Sequence, residues 1–193
     1  HAGGDRRGAR QRRAVRGGAR LFTHSPVMEL HSSLVRTERG SVRCQHVIVA
    51  SDGSLAQLLP ELADDVRPVR LQMIGTAPLG EMLYSRPVYW RYGFEYWQQL
   101  ADGRLLLGGF RDGGGAAEEG AEPVPAEPVQ ELLERFLREE LGVTAAITHR
   151  WAAQVGYRDS VLPFFGEVRP GITAIGGYNG TGNVIGSLLG RRA

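Results

Sequence analysis

Residues 171–190 read GITAIGGYNGTGNVIGSLLG, and the rest of the chain is best read outward from this stretch. Ile172 to Ile175 predict a short strand, a glycine-rich turn follows, and a helix is expected from Thr181 or Gly182. Gly176, Gly177, Gly180 and Gly182 leave backbone N–H groups free to face a ligand, and a helix N-terminus adds partial positive charge, so the turn suits an electron-rich oxygen. Gly182, Gly186 and Gly190, spaced by four, suit a helix packed closely on a sheet or a cofactor. The same glycines also fit a helix entry chosen only for tight packing, and both readings are open.

A second strand, turn and helix occur upstream. Ser41 to Ala50 end in the apolar run Val47-Ile48-Val49-Ala50, as expected of a strand buried on both faces. Ser51-Asp52-Gly53-Ser54 then predict a turn, and LAQLLPEL a short helix. This is either the ligand edge of an α/β sheet or an ordinary connection. His24 to Leu30 and Ser33 to Thr37 are further β-like runs, and Ala19 to Phe22 is expected to open a strand after a short helix within 9–22.

The middle of the chain has another texture. Residues 67–80 look like a bridging segment. Pro87 to Phe110 are aromatic and extended, and Ala101-Asp102-Gly103 predicts a hairpin turn. Trp90, Tyr92, Phe94 and Tyr96 are expected on one face, with Arg91, Glu95 and Gln99 on the other. The aromatic face is then core and the polar face solvent, or else the polar face roofs a substrate cavity. Residues 112–128, rich in Gly, Ala, Glu and Pro, predict a mobile surface loop without chemistry. Val129, Leu132, Leu133, Phe136, Leu137 and Leu141 hold helical spacing between Pro128 and Gly142, with the Glu and Arg residues forming a solvated face.

Composition removes several classes of function. All 23 basic residues of the 193 are Arg, so no lysine can act in a P-loop or a Schiff base. Seven of them fall in residues 1–20, without an aromatic before Phe22, which is a poor pattern for nucleic-acid binding. The single Cys44 forms no disulfide framework, and His1, His24, His31, His46 and His149 are too scattered for a metal site. There is no GxSxG and no GxGxxG. No apolar run approaches 18 residues, so no membrane span is expected, and the chain is read as cytoplasmic.

Four stretches in order, GARLFTHSPVMEL with QHVIVASDG, ADGRLLLGG, WAAQVGYRDSVLPFFG and Gly176 to Gly190, resemble the C-terminal half of the FAD-dependent D-amino-acid oxidase superfamily. The wording is nearer its γ-glutamylputrescine-oxidase-like and glycine-oxidase-like members. The resemblance implies an α+β fold, with part of an FAD-binding α/β domain (18–66 and 167–193) joined to an antiparallel substrate domain (67–166), after an Arg-rich head (1–17) that does not match. It implies non-covalent FAD, with Val27 near the adenine and Ala50, Ser51 and Asp52 near the phosphates and ribose. Gly177, Asn179, Gly180, Thr181, Gly182 and Asn183 fall beside the flavin ring, where the helix dipole stabilises developing negative charge.

Tyr178, Arg91 and Tyr157 are the candidate catalytic residues, as substrate contacts. The family's carboxylate-gripping Arg and its usual Asp correspond to Val155 and Ser160, so an α-carboxylate has no obvious partner there, and the substrate is an amine or amino acid. The family's opening GxGxxG half is not in this sequence and is expected as a missing partner. Two functions follow: the C-terminal part of an oxidoreductase acting on a CH–NH bond by hydride transfer to flavin, or a non-catalytic module of the same fold lacking its own flavin site.

Overall fold

The computed structural model describes residues 14–120 and 122–193, so most of the Arg-rich head lies outside the described residues. The helix expected within 9–22 is described only at 14–16, closed by Gly18 at φ +89°. Ala19 to Phe22 form no strand.

Eleven strands make three sheets among the described residues. A hairpin sheet holds β1 (Val27–His31), β2 (Leu34–Thr37) and β3 (Gly40–Arg43), all antiparallel. The run expected over Ser41 to Ala50 is thus split, with β4 (Val47–Val49) belonging elsewhere. β4 pairs in parallel with β11 (Ile172–Gly176), which pairs antiparallel with β10 (Phe164–Arg169). β10 begins at Phe164 and so straddles the boundary expected at 166/167. Val49, Leu55, Leu59, Val66 and Ile172 bury themselves between these sheets, under the short helix α1 (Leu55–Leu58).

The third sheet runs β6 (Val88–Trp90), β7 (Glu95–Gln99), β8 (Arg104–Gly109), β5 (Arg67–Pro78), β9 (Ile147–Tyr157). The segment expected to be a bridge, 67–80, is therefore a long inner strand, paired antiparallel on both sides. Its alternation is hidden because the face carrying Arg70, Gln72 and Thr76 is polar yet buried. The helix α3 (Glu127–Glu139) covers that face, as its apolar spacing predicts, with Val129, Leu133 and Leu137 fully buried. Gly142 at φ +64° ends it, and the Val143 N–H donates to the Leu137 carbonyl at 3.0 Å. Its Glu and Arg residues stay exposed or half-exposed, as expected of a solvated face, whereas the neighbouring Gln130 is buried and donates to Gln72.

Residues 112–128 are not a featureless loop. They include α2 (Arg111–Gly114) and a 3-10 turn that inserts Glu118 under the sheet. Only 3% exposed, Glu118 accepts hydrogen bonds from Arg70 Nε (2.8 Å), Arg70 Nη2 (2.7 Å) and Gln72 Nε2 (3.0 Å). Burial pushes its carboxyl up, but these hydrogen bonds and the Arg70 charge more than offset that and hold it below the ordinary carboxylate range. The last element, α4, spans Gly182–Leu189. No helix among the described residues is long and apolar enough to cross a membrane.

Candidate active site

The aromatic strands take the opposite arrangement to the one their alternation suggests. Arg91 and Tyr92 adopt φ of +40° and +58°, breaking the extended run between β6 and β7 and resetting its phase. Glu95 and Trp97 then turn toward α3, where Trp97 packs against Phe136 with ring centroids 5.7 Å apart. Tyr96 turns to the other side of the sheet and stacks on Tyr89 at 5.9 Å. A cavity of about 750 Å³ opens on that side, within the range of small-molecule sites. Its roof is aromatic, not polar, and its floor is the apolar face of β5, β8 and β9, including Leu71, Met73, Leu106 and Val155.

Residues from the two ends of the chain close the cavity. Asp52, Tyr157 and the turn Tyr178 to Asn183 all line it, so most of the expected site residues converge. Asp52 is the joint between them. One carboxylate oxygen accepts from the Gly156 N–H at 2.9 Å, and the other from Gly177 at 2.9 Å and Tyr178 at 3.3 Å. Asp52 itself stands at φ +49°. Glycines let the backbones approach this closely: a Cβ on Gly156 would lie 2.7 Å from Asp52 Oδ1, and one on Gly176 2.9 Å from Asp52 Cα. Asn179 adds a second tie, accepting at Oδ1 from the Arg158 N–H at 2.8 Å and donating from Nδ2 to the Ser160 carbonyl at 2.8 Å.

The turn leads into α4 with its first donors free. Thr181 stands at the N-cap, but its hydroxyl donates to the Tyr178 carbonyl at 2.7 Å and caps no N–H. Gly182 and Asn183 N–H have no protein acceptor among the described residues, and both residues line the cavity. Two open donors at a helix N-terminus suit an electron-rich oxygen or ring edge, as the flavin pyrimidine presents, so the residues fit such a group. Within α4 the glycines give close packing: Gly182 and Gly186 seat the Tyr178 ring, which lies 3.0 Å and 3.5 Å from where their Cβ atoms would be. Burial, followed by the nearby Asp52 charge, raises the Tyr178 phenol above its ordinary 10.0, so it is neutral at physiological pH.

Other expected site residues are elsewhere. Arg91 is not part of the lining; it pairs with Glu95 through Nε at 2.8 Å and through Nη2, and with Asp112 at 2.9 Å. Val27, Ala50 and Ser51 also lie off the cavity, Val27 on the hairpin sheet and the other two, exposed, just after β4. The residue that sequence reading misses is Arg111, the cation among the residues lining the cavity. Among 23 arginines nothing in the sequence distinguishes it, since its placement depends on a bend two residues earlier.

The family described as FAD dependent oxidoreductase (DAO) matches residues 9–193. The chain is 32% identical over 187 residues to γ-glutamylputrescine oxidoreductase of Escherichia coli, covering 90% of this chain and 42% of that protein. It is 28% identical over 198 residues to the probable oxidoreductase OrdL of Rhizobium meliloti, covering 93% of this chain and 43% of that protein. The chain therefore spans less than half the length of these curated relatives. Among solved structures, the fold is similar to L-proline dehydrogenase of P. horikoshii (TM-score 0.75, 15% identity, 92% of this chain and 50% of that one). It is also similar to glycine oxidase of Bacillus cereus (TM-score 0.74, 20% identity, 93% and 51%). With the family matched across nearly its whole length, the chain belongs to the FAD-dependent oxidoreductases of the DAO type.

Proposed function

We propose that this chain is the C-terminal part of an enzyme that oxidises a CH–NH bond of an amine or amino acid, with FAD held non-covalently. One observation carries the reading: the turn with open Gly182 and Asn183 donors and the aromatic sheet face each other across a single cavity. FAD, when bound, supplies the two-electron acceptor for this oxidation. Gly182 and Asn183 would hold its ring edge by donating backbone hydrogen bonds, while Tyr178 and Tyr157 orient the substrate amine. The stacked Tyr89 and Tyr96 rings line the site beside the substrate and help to orient it. No side chain need act as a strong base, because the work of the protein here is orientation and electrostatics.

In this reading residues 18–66 and 167–193 contribute to the flavin domain and 67–166 form the substrate domain. β4 has β11 as its one partner among the described residues, and its open parallel edge supports the addition of a strand from a further half of the protein. To test it, the full-length protein containing this chain is purified and its visible spectrum recorded, with acid precipitation to release the cofactor. Free FAD in the supernatant and anaerobic bleaching by an amine are expected. A colourless protein, or a flavin that no amine or amino acid bleaches, rejects the reading and leaves a non-catalytic module of the same fold.

A further inference from the structure

We propose that Arg111 binds a carboxylate of the substrate, so that the amine oxidised at this site also carries a carboxylate group. The inference rests on the oxidase reading above and assigns a specificity residue to it. Arg111 is half-buried in the cavity wall, where its guanidinium lies 4.5 Å from the Tyr157 ring centroid and 5.1 Å from that of Phe94. Stacking of this kind fixes the plane of the guanidinium and leaves its N–H edge for bidentate pairing with a planar anion.

The surroundings leave that charge uncompensated. Arg111 makes no ion pair among the described residues. Its chain neighbour Asp112 and the buried Glu95 are both taken by Arg91. Asp52, the carboxylate among the lining residues, already accepts from three backbone amides. A cation stacked in a cavity wall with its candidate partners engaged elsewhere is a receptor for an anion from outside the protein.

The backbone is also bent to place it. Gly109 stands at φ +139°, and a Cβ there would lie 2.2 Å from the Phe94 carbonyl oxygen. Phe110 follows at φ +59°, a left-handed conformation costly for a side chain of this kind. These two residues turn the chain out of β8 so that Arg111 enters α2 over Tyr157 instead of continuing along the strand.

The carboxylate could stand beside the oxidised carbon, as in an α-amino acid, or at the far end, as in an ω-amino acid; both present the same planar anion. The test uses the full-length flavoprotein, Arg111→Gln and Arg111→Lys. Butyrate and butyramide, which carry no amine to oxidise, are titrated against tryptophan fluorescence and the flavin spectrum. Anaerobic flavin reduction is then measured with α-aminobutyrate, 4-aminobutyrate and their amides. We expect butyrate to bind at least tenfold more weakly to Arg111→Gln, with butyramide changed less than twofold and Arg111→Lys in between. The amino acid whose reduction suffers the same tenfold loss, while its amide does not, identifies where the carboxylate sits. Equal butyrate binding by wild type and Arg111→Gln, with melting temperature and flavin content preserved, overturns the proposal. If Arg111→Gln loses flavin, Arg111→Lys decides by the same criterion, a threefold loss being required. Wild type bleached by amines but indifferent to Arg111 leaves the oxidase reading standing and removes only this one; wild type bleached by none removes the oxidase reading, while butyrate still decides Arg111.

Discussion

The Asp52 carboxylate accepts a hydrogen bond from the Gly156 N–H at 2.9 Å, joining positions 104 residues apart in the chain. Its other oxygen takes Gly177 and Tyr178, so one side chain fastens the turn after β4, the end of β9 and the turn after β11. The cavity exists where these three meet.

Asp52→Ala should therefore destabilise the fold by about 3 kcal/mol, because three amides lose a charged acceptor in a half-buried site. Asp52→Asn, which keeps one acceptor oxygen, should lose about half as much. Urea unfolding measures both, and a loss below about 0.5 kcal/mol for the alanine variant is incompatible with the joint.

Gly156→Ala tests the same junction by volume. The added Cβ meets Asp52 Oδ1 at 2.7 Å and the Gly177 nitrogen at 3.0 Å, neither on a flexible chain end. A cost of about 2 kcal/mol is expected. Gly166→Ala, whose nearest neighbour is the Phe164 ring at 3.9 Å, serves as the control and should be nearly neutral in thermal melting.

The Arg70 and Glu118 pair predicts an acid-sensitive stability. Glu118 titrates below its ordinary 4.5 in the folded chain, so the unfolded chain takes up the proton first as pH falls. The pair's contribution is complete above pH 4.5 and declines as pH drops through the lowered folded value. Glu118→Gln should cost about 3 kcal/mol at pH 7, since it leaves the buried Arg70 without its counter-charge, and should flatten the loss of stability below pH 4.5. Chemical denaturation from pH 7 to pH 3 follows both effects.

Tyr96 offers a spectroscopic check of the cavity roof. Burial, followed by the neighbouring Tyr157 and Tyr89, pushes its phenol up to about 12. In alkaline titration at 295 nm, Tyr96→Phe should remove a component that ionises late while leaving the earlier part of the curve unchanged. Because the folded value is raised, the stability this group contributes is present below its ordinary 10.0 and fades as pH rises toward 12. Loss of an early component instead would mean that Tyr96 stands in water.

Much of the secondary structure is legible locally. Helix α3 follows from its apolar spacing between Pro128 and Gly142, the β7–β8 hairpin from Asp102-Gly103, and the strand, turn and helix at the C-terminus from its glycines. These depend on neighbours within a few residues, where propensity and steric freedom act directly. Family likeness implies Tyr157 and the 178–183 turn at the substrate and flavin ring and Asp52 at the phosphates and ribose; that all three meet at one cavity is seen only in the tertiary structure, since no local rule relates positions more than a hundred residues apart.

From the chain alone follow helix α3, the Asp102-Gly103 hairpin, the C-terminal strand, turn and helix, the absence of lysine chemistry and a backbone turn rich in donors. The tertiary structure decided which face each element shows. Positive φ at Arg91 and Tyr92 reset the alternation that put the aromatics in the core. A buried polar network over Arg70, Gln72, Glu118 and Gln130 disguised an inner strand as a linker and an inserted turn as a loop. Arg91, expected at the site, is engaged elsewhere, and Arg111, for which the sequence carries no signal, is left open on the cavity wall, because where Glu95 and Asp112 fall in space is not encoded in a linear pattern of charges.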